Sequence, residues 1–164
     1  MPKTLAEFQE IKYNKKEDYL LLQEKVNNKP LDDAESKKVE VFKQALANGE
    51  INTKIRKQKQ DEHIPGTKAR ERRLETDKNN NSTPSSEFKE GIDVKKLVTE
   101  SVGKGELVFR KKHTYPNEFV TCKHTIGYAW NTGKQKYVST RRLQITYSNK
   151  GIHAFPVKKL REEK

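Results

Sequence analysis

Hydrophobic and polar positions change period along this chain, from helical spacing in its first half to strict alternation in its second. Leu5, Phe8 and Ile11, then Tyr19, Leu20, Leu22 and Val26, recur at helical spacing. Thr4 stands as an N-cap with Glu7 at the capping-box position, and Asn27-Asn28-Lys29-Pro30 ends the stripe. A second stripe, Val39, Phe42, Ala45 and Leu46, opens at Asp32 or Asp33 and closes at Asn48-Gly49. These two helices form a hairpin arm over residues 1–57, either a docking arm or a plain structural extension. Ile51 to Glu62 reads as a third helix or a connector. The Pro65-Gly66 turn then holds His63 at a corner, and Thr67 caps a short helix from Lys68 to Leu74. Asp77 to Ser86 is polar and low in complexity, which predicts a loop. Ile92 to Val102 is a helix with Val94, Leu97 and Val98 inward, and Gly103-Lys104-Gly105 is its C-cap.

From Leu107 the period falls to two. Strands are expected at Leu107–Lys111, Glu118–Trp130 and Lys136–Tyr147, with a turn at Asn131-Thr132-Gly133-Lys134. The last strand turns at Ser148-Asn149-Lys150-Gly151 and returns through Ile152 to Val157. Helices first and an antiparallel sheet afterwards make an α+β plan, with a second domain over residues 58–164.

Composition narrows the partner. Hydrophobic residues make up 31% and charged ones 35%, so a modest core is available, concentrated in the C-terminal part. Of the net charge of +12, +10 falls within residues 101–160, where Glu106 and Glu118 are the only acids. A field this one-sided fits a phosphate-rich partner, RNA first and DNA second. No apolar run approaches a membrane span, and the N-terminus lacks the apolar core of a signal peptide. Cys122 stands alone, which excludes a disulfide framework within the chain. The expected location is cytoplasmic or virion-associated. His113, His124 and His153 lack the spacing of common zinc motifs, and no cofactor fingerprint is present, so neither metal nor cofactor is expected.

RNA cleavage by 2′-hydroxyl attack needs only proton transfer and charge stabilisation. His153, His63, Arg141, Arg142 and Ser148 supply groups of those kinds. Arg141 and Arg142 point to opposite faces of a strand, so one of them at most enters a single site. The bland readings are a packed Tyr147 with a solvated hydroxyl and a satisfied core histidine at His153.

His63-Ile64-Pro65-Gly66-Thr67, Leu97–Gly105, Ile126-Gly127-Tyr128 and Ile145–Val157 together resemble the polymorphic toxin type 50 domain. That domain also occurs at the end of phage head morphogenesis proteins. The resemblance covers about residues 58–160 and implies the nuclease superfamily of barnase, EndoU, the colicin RNases and RelE. Position by position, His63 and Thr67 match its first motif, Tyr147, Ser148, Gly151 and His153 its second, and Thr140 and Arg141 a weaker polar pair. It selects Arg141 over Arg142. The catalytic set is then expected to be His153, His63, Arg141, Ser148, Tyr147 and Thr140, and Thr67, Arg142, Lys150 and Lys123 are expected on the substrate. Two departures stand out: Glu62 replaces a residue that is often basic, and Asp77–Ser86 is an insertion.

The expected protein is a metal-independent endoribonuclease of a phage or mobile-element toxin type. An acidic immunity or antitoxin partner would fit its charge, and phage head or portal components would meet residues 1–57. The alternative is a non-catalytic nucleic-acid-binding minor head protein.

Overall fold

Two long strands, bent together at one point, run through both sheets of this molecule, and the bend divides one from the other. The computed structural model describes residues 33–158. The first predicted helix, and with it most of the arm, lies outside them. The described elements run α1 (Asp33–Ala47), α2 (Lys57–Asp61), α3 (Lys68–Asn79), β1 (Glu87–Phe88), α4 (Val94–Ser101), β2 (Glu106–Val108), β3 (Asn117–Thr121), β4 (Gly127–Asn131), β5 (Lys136–Thr140), β6 (Arg142–Ser148) and β7 (Gly151–Val157). Both sheets are antiparallel, with orders β2-β3-β6-β7 and β1-β4-β5. The α+β class holds.

The expected strands Glu118–Trp130 and Lys136–Tyr147 are both interrupted. Each passes from one sheet to the other, through residues 122–126 in the first and through Arg141 in the second. Cys122 N–H donates to Arg141 O and Ile126 N–H to Thr140 O, so pairing continues across the bend with extra residues on one side. Unequal residue counts on paired strands are what bend a ladder. Gly127 is required just past it, because a Cβ there would lie 2.3 Å from Glu87 O.

Alternation then sorts the four-stranded sheet. Leu143, Ile145 and Tyr147 of β6 and Ile152, Ala154 and Pro156 of β7 face the core, where Leu97 and Val98 of α4 meet them. Phe42 of α1 packs edge-on against Tyr147, with ring centres 5.0 Å apart. The second half of the predicted arm is thus packed on the core.

Among these apolar groups Glu118 is fully buried. Its carboxylate accepts from the Tyr147 hydroxyl and from the backbone N–H of Gly103 and Gly105. Burial pushes its pKa up, and those three donors only partly offset that. The Gly-Lys-Gly stretch read as a C-cap is therefore also a carboxylate clamp.

Two further expectations change. The helix predicted to stop at Leu74 continues to Asn79, so the polar stretch from Asp77 begins inside α3. Asp77 is buried and accepts from Ser85 N–H and Oγ and from Arg73 Nε, which closes the remaining loop tightly. The connector Ile51–Glu62 in turn completes the outer edge of β7. Ile55 bridges Ile152 in parallel, and the buried Gln60 amide donates to Ala154 O and accepts from Ala154 N–H, at 2.7 and 2.8 Å.

Candidate active site

The face of the four-stranded sheet opposite the core carries Arg142, Gln144, Thr146 and Ser148 of β6 beside Gly151, His153 and Phe155 of β7. The Pro65-Gly66 corner brings His63 onto this face. Gly66 has φ +87°, a conformation that favours glycine. The His63 ring stacks on Phe155 at 4.9 Å between ring centres and lies 6.3 Å from His153, nearly parallel to it.

His63 is buried, and its Nδ1 lies 2.8 Å from Ser86 O. A carbonyl can only accept, so Nδ1 carries the proton and the Nε2 lone pair is the ring's basic position. Burial pulls the His63 pKa down to about 4, Ser86 O opposes this, and the charges of His153, Arg73 and Arg70 add to it. His153 is also lowered to about 4, first by burial and then by Arg56 and Lys59, with Glu62 pulling the other way. Both rings are neutral at pH 7, ringed by cations.

The carriers of that charge come from α2 and α3. Arg73 Nη1 pairs with Glu62 Oε1 at 2.6 Å and its Nε with Asp77 Oδ1 at 3.2 Å. Burial works against the Arg73 charge, but these bonds outweigh it and raise its pKa. Asp77 is held below the usual carboxylate range although burial opposes it, because Ser85 and Arg73 donate to it. A groove of about 430 Å³ runs beside the pair between α2 and α3, lined by Lys59, Glu62, Arg72, Arg73 and Asp77. The buried Arg70 braces the corner from behind. Its guanidinium donates to Glu62 O and Ser85 O, the carbonyls preceding His63 and Ser86.

A pH dependence of stability follows. Both imidazoles have folded pKa values below the ordinary 6.5, so the unfolded chain binds protons more readily. Their contribution is complete above about pH 6.5 and is lost as pH falls toward 4. Urea midpoints are expected to drop across that window, with a shallower drop in His63→Asn. An equal slope in the variant would show that His63 is not the titrating group.

The other expected site residues are not gathered here. Tyr147 is corrected to the core: alternation turns it to the opposite face from His153, and it is buried on Glu118. Arg141 sits at the bend, five residues along the chain from Thr146, the partner of His153. At about 3.4 Å per residue that is roughly 17 Å away. Arg142 lies on the His153 face, its guanidinium 4.3 Å over the Phe119 ring. Thr140 is buried, donates to Val157 O and accepts from Arg142 N–H, which ties the bend together. Thr67 caps α3 through Arg70 N–H and donates to Asp61 O and Ile64 O. Ser148 shares the face of His153, but its hydroxyl donates to Gly151 O and accepts from Lys150 N–H within the turn. Lys150 is exposed at the hairpin tip, and Lys123 belongs to the bend.

Sequence reasoning missed Arg56, Lys59, Arg70, Arg73 and Gln60. The spacing of Glu62, Arg73 and Asp77 held a partial signal, because Arg73 and Asp77 are one helical turn apart. Among the described residues no group of three or more His, Cys, Asp or Glu could hold a metal ion. No described helix is long and apolar enough to cross a membrane.

Fold and site define a basic α+β domain built around a stacked histidine pair with cations on its rim. Residues 55–156 match the bacterial toxin 50 family, and the chain belongs to it. These residues are a toxin domain, one of the polymorphic toxin kind. No curated protein matches the chain.

Proposed function

We infer that the toxin domain is an endoribonuclease that cleaves RNA by 2′-hydroxyl attack on the adjacent phosphate, with no requirement for metal. The observation that carries this reading is the His63–His153 pair, 6.3 Å apart on one face and surrounded by Arg56, Lys59 and Arg73. In 2′-hydroxyl attack one group removes the hydroxyl proton and another returns a proton to the leaving 5′-oxygen. His63, neutral with Nδ1–H fixed on Ser86 O, offers Nε2 as the base. His153 is the acid. Arriving phosphate adds to the single negative charge of Glu62 beside it, which raises its pKa and allows it to hold the second proton. Lys59, Arg73 and Arg56 steady the phosphate as its charge develops.

The family supplies the biological setting, since polymorphic toxin domains are commonly paired with immunity proteins. An immunity partner for this domain would present an acidic surface to the histidine rim. The test is incubation of purified protein with RNA and with DNA of the same sequence, with and without chelator. RNA is expected to be cut with chelator present, leaving 2′,3′-cyclic phosphate ends, and DNA to stay intact. Protein that binds RNA but cuts none, with or without divalent metal, would make the domain a nucleic-acid binder.

A further inference from the structure

Register on the open sheet face aligns side chains into two rows. One runs Phe119, Gln144, Phe155 across β3, β6 and β7, and the next runs Asn117, Thr146, His153. Adjacent strands are about 4.8 Å apart, so the two phenyl rings stand roughly 10 Å apart with a carboxamide between them. All six side chains are partly exposed. Glu106 closes the β2 end of the first row opposite Phe119, and the Arg142 guanidinium lies over the Phe119 ring.

The polar groups in this grid are poorly used by the fold. Gln144 Nε2 reaches Thr146 Oγ1 at 3.4 Å, the limit of a hydrogen bond. Asn117 Oδ1 is buried and accepts no hydrogen bond among the described residues. A buried acceptor left unpaired costs free energy comparable to a lost hydrogen bond, so a donor from outside would be favoured there. Aromatic rings and a guanidinium plane beside amide groups are the combination that receives an unstacked base, the rings by its face and the amides by its edge. The basic field of residues 101–160 attracts the strand to the domain, and Arg142 adds a cation on this face.

We propose that Gln144 and Asn117, between Phe119 and Phe155, form a base-reading subsite for single-stranded RNA beside His153. This rests on the ribonuclease reading for its role in cleavage, but base recognition itself does not. Phe155 lies 5.7 Å from His153 between ring centres, so a base held on this row delivers its own phosphate to the histidine pair. The Gln144 carboxamide, standing between the rings, reads the base edge with its oxygen as acceptor, while Asn117 Oδ1 asks for a donor beside it. Bases with an exocyclic amino group, adenine and cytosine as well as guanine, are therefore preferred over uracil.

The test uses 2′-O-methyl hexamers of A, C and U, which lack the attacking hydroxyl and report binding alone. Fluorescence anisotropy with the full chain is expected to show A and C binding at least about fivefold tighter than U, the lower end of the worth of one base-edge contact. Gln144→Ala should bring the three within about twofold of one another. Gln144→Met, similar in size but without the amide, should do the same and covers the case where alanine disturbs folding. Phe119→Leu should weaken all three by a similar factor, of order 5- to 100-fold, because stacking is tolerant of sequence. Equal affinities in the wild type, or a preference that survives both Gln144 changes, would overturn the subsite. Cleavage of ordinary RNA, assayed in parallel, separates the two ideas. Cutting without a Gln144-dependent preference removes the subsite alone, and a Gln144-dependent preference without cutting removes the nuclease alone.

Discussion

His153→Ala is expected to slow RNA cleavage by roughly 10²–10⁴-fold, the usual worth of a positioned acid or base. RNA affinity should change little, because a neutral ring contributes little to phosphate binding beside the surrounding Lys and Arg. The pH profile adds a second readout. With both imidazoles lowered to about 4 in the free protein, and one needed unprotonated while the other is protonated, wild-type kcat/KM should peak near that value and fall as pH rises above it. His153 adds to the lowering of His63, so the profile belongs to the pair and not to one residue. His63→Ala should also abolish cleavage, but with a folding cost, since it leaves Ser86 O without its donor. A His153→Ala protein that is folded, binds RNA and cleaves at the wild-type rate would remove the two-histidine mechanism.

The largest expected loss of stability belongs to Glu118→Ala. Removing the carboxylate strands the Tyr147 hydroxyl and two backbone N–H groups in the core, at about 1–3 kcal/mol each before water recovers part of it. A net loss of about 3–5 kcal/mol is a large fraction of the 5–15 kcal/mol that holds a typical domain together. Urea unfolding measures it directly. Tyr147→Phe should lose only about 1–2 kcal/mol and keep full cleavage activity, because its hydroxyl faces away from His153. A Tyr147→Phe variant that folds but no longer cleaves would return Tyr147 to the catalytic set.

Much of this arrangement was legible in alternation. The period of two in Lys136–Val157 already separated His153 from Tyr147, since one lies on each face once the hairpin turn is placed. Alternation sets Arg141 and Arg142 on opposite faces, and carried through the turn it puts Arg142 on the His153 face, whereas the preference for Arg141 rests on motif position. The break at Arg141 was not legible, because no glycine or proline marks it and the bend is made by pairing partners at Cys122 and Ile126. Helix α3 ran past its predicted end because Asp77 finds Arg73 and Ser85 in space, and tertiary contacts override its polar composition. Gln60 was invisible for a similar reason, as nothing in a lone glutamine announces two bonds to a strand 94 residues away.

That glutamine ties folding to solubility. An unpaired strand margin is a template for other chains, and here Lys54–Arg56 together with the Gln60 amide occupy the margin of β7. The same short stretch supplies Arg56 and Lys59 to the histidines. A fragment cut at residue 58 would lose its guard at Lys54–Arg56 and the Arg56 charge in one stroke. Such a fragment would be prone to stack into aggregates through β7, however intact its remaining core.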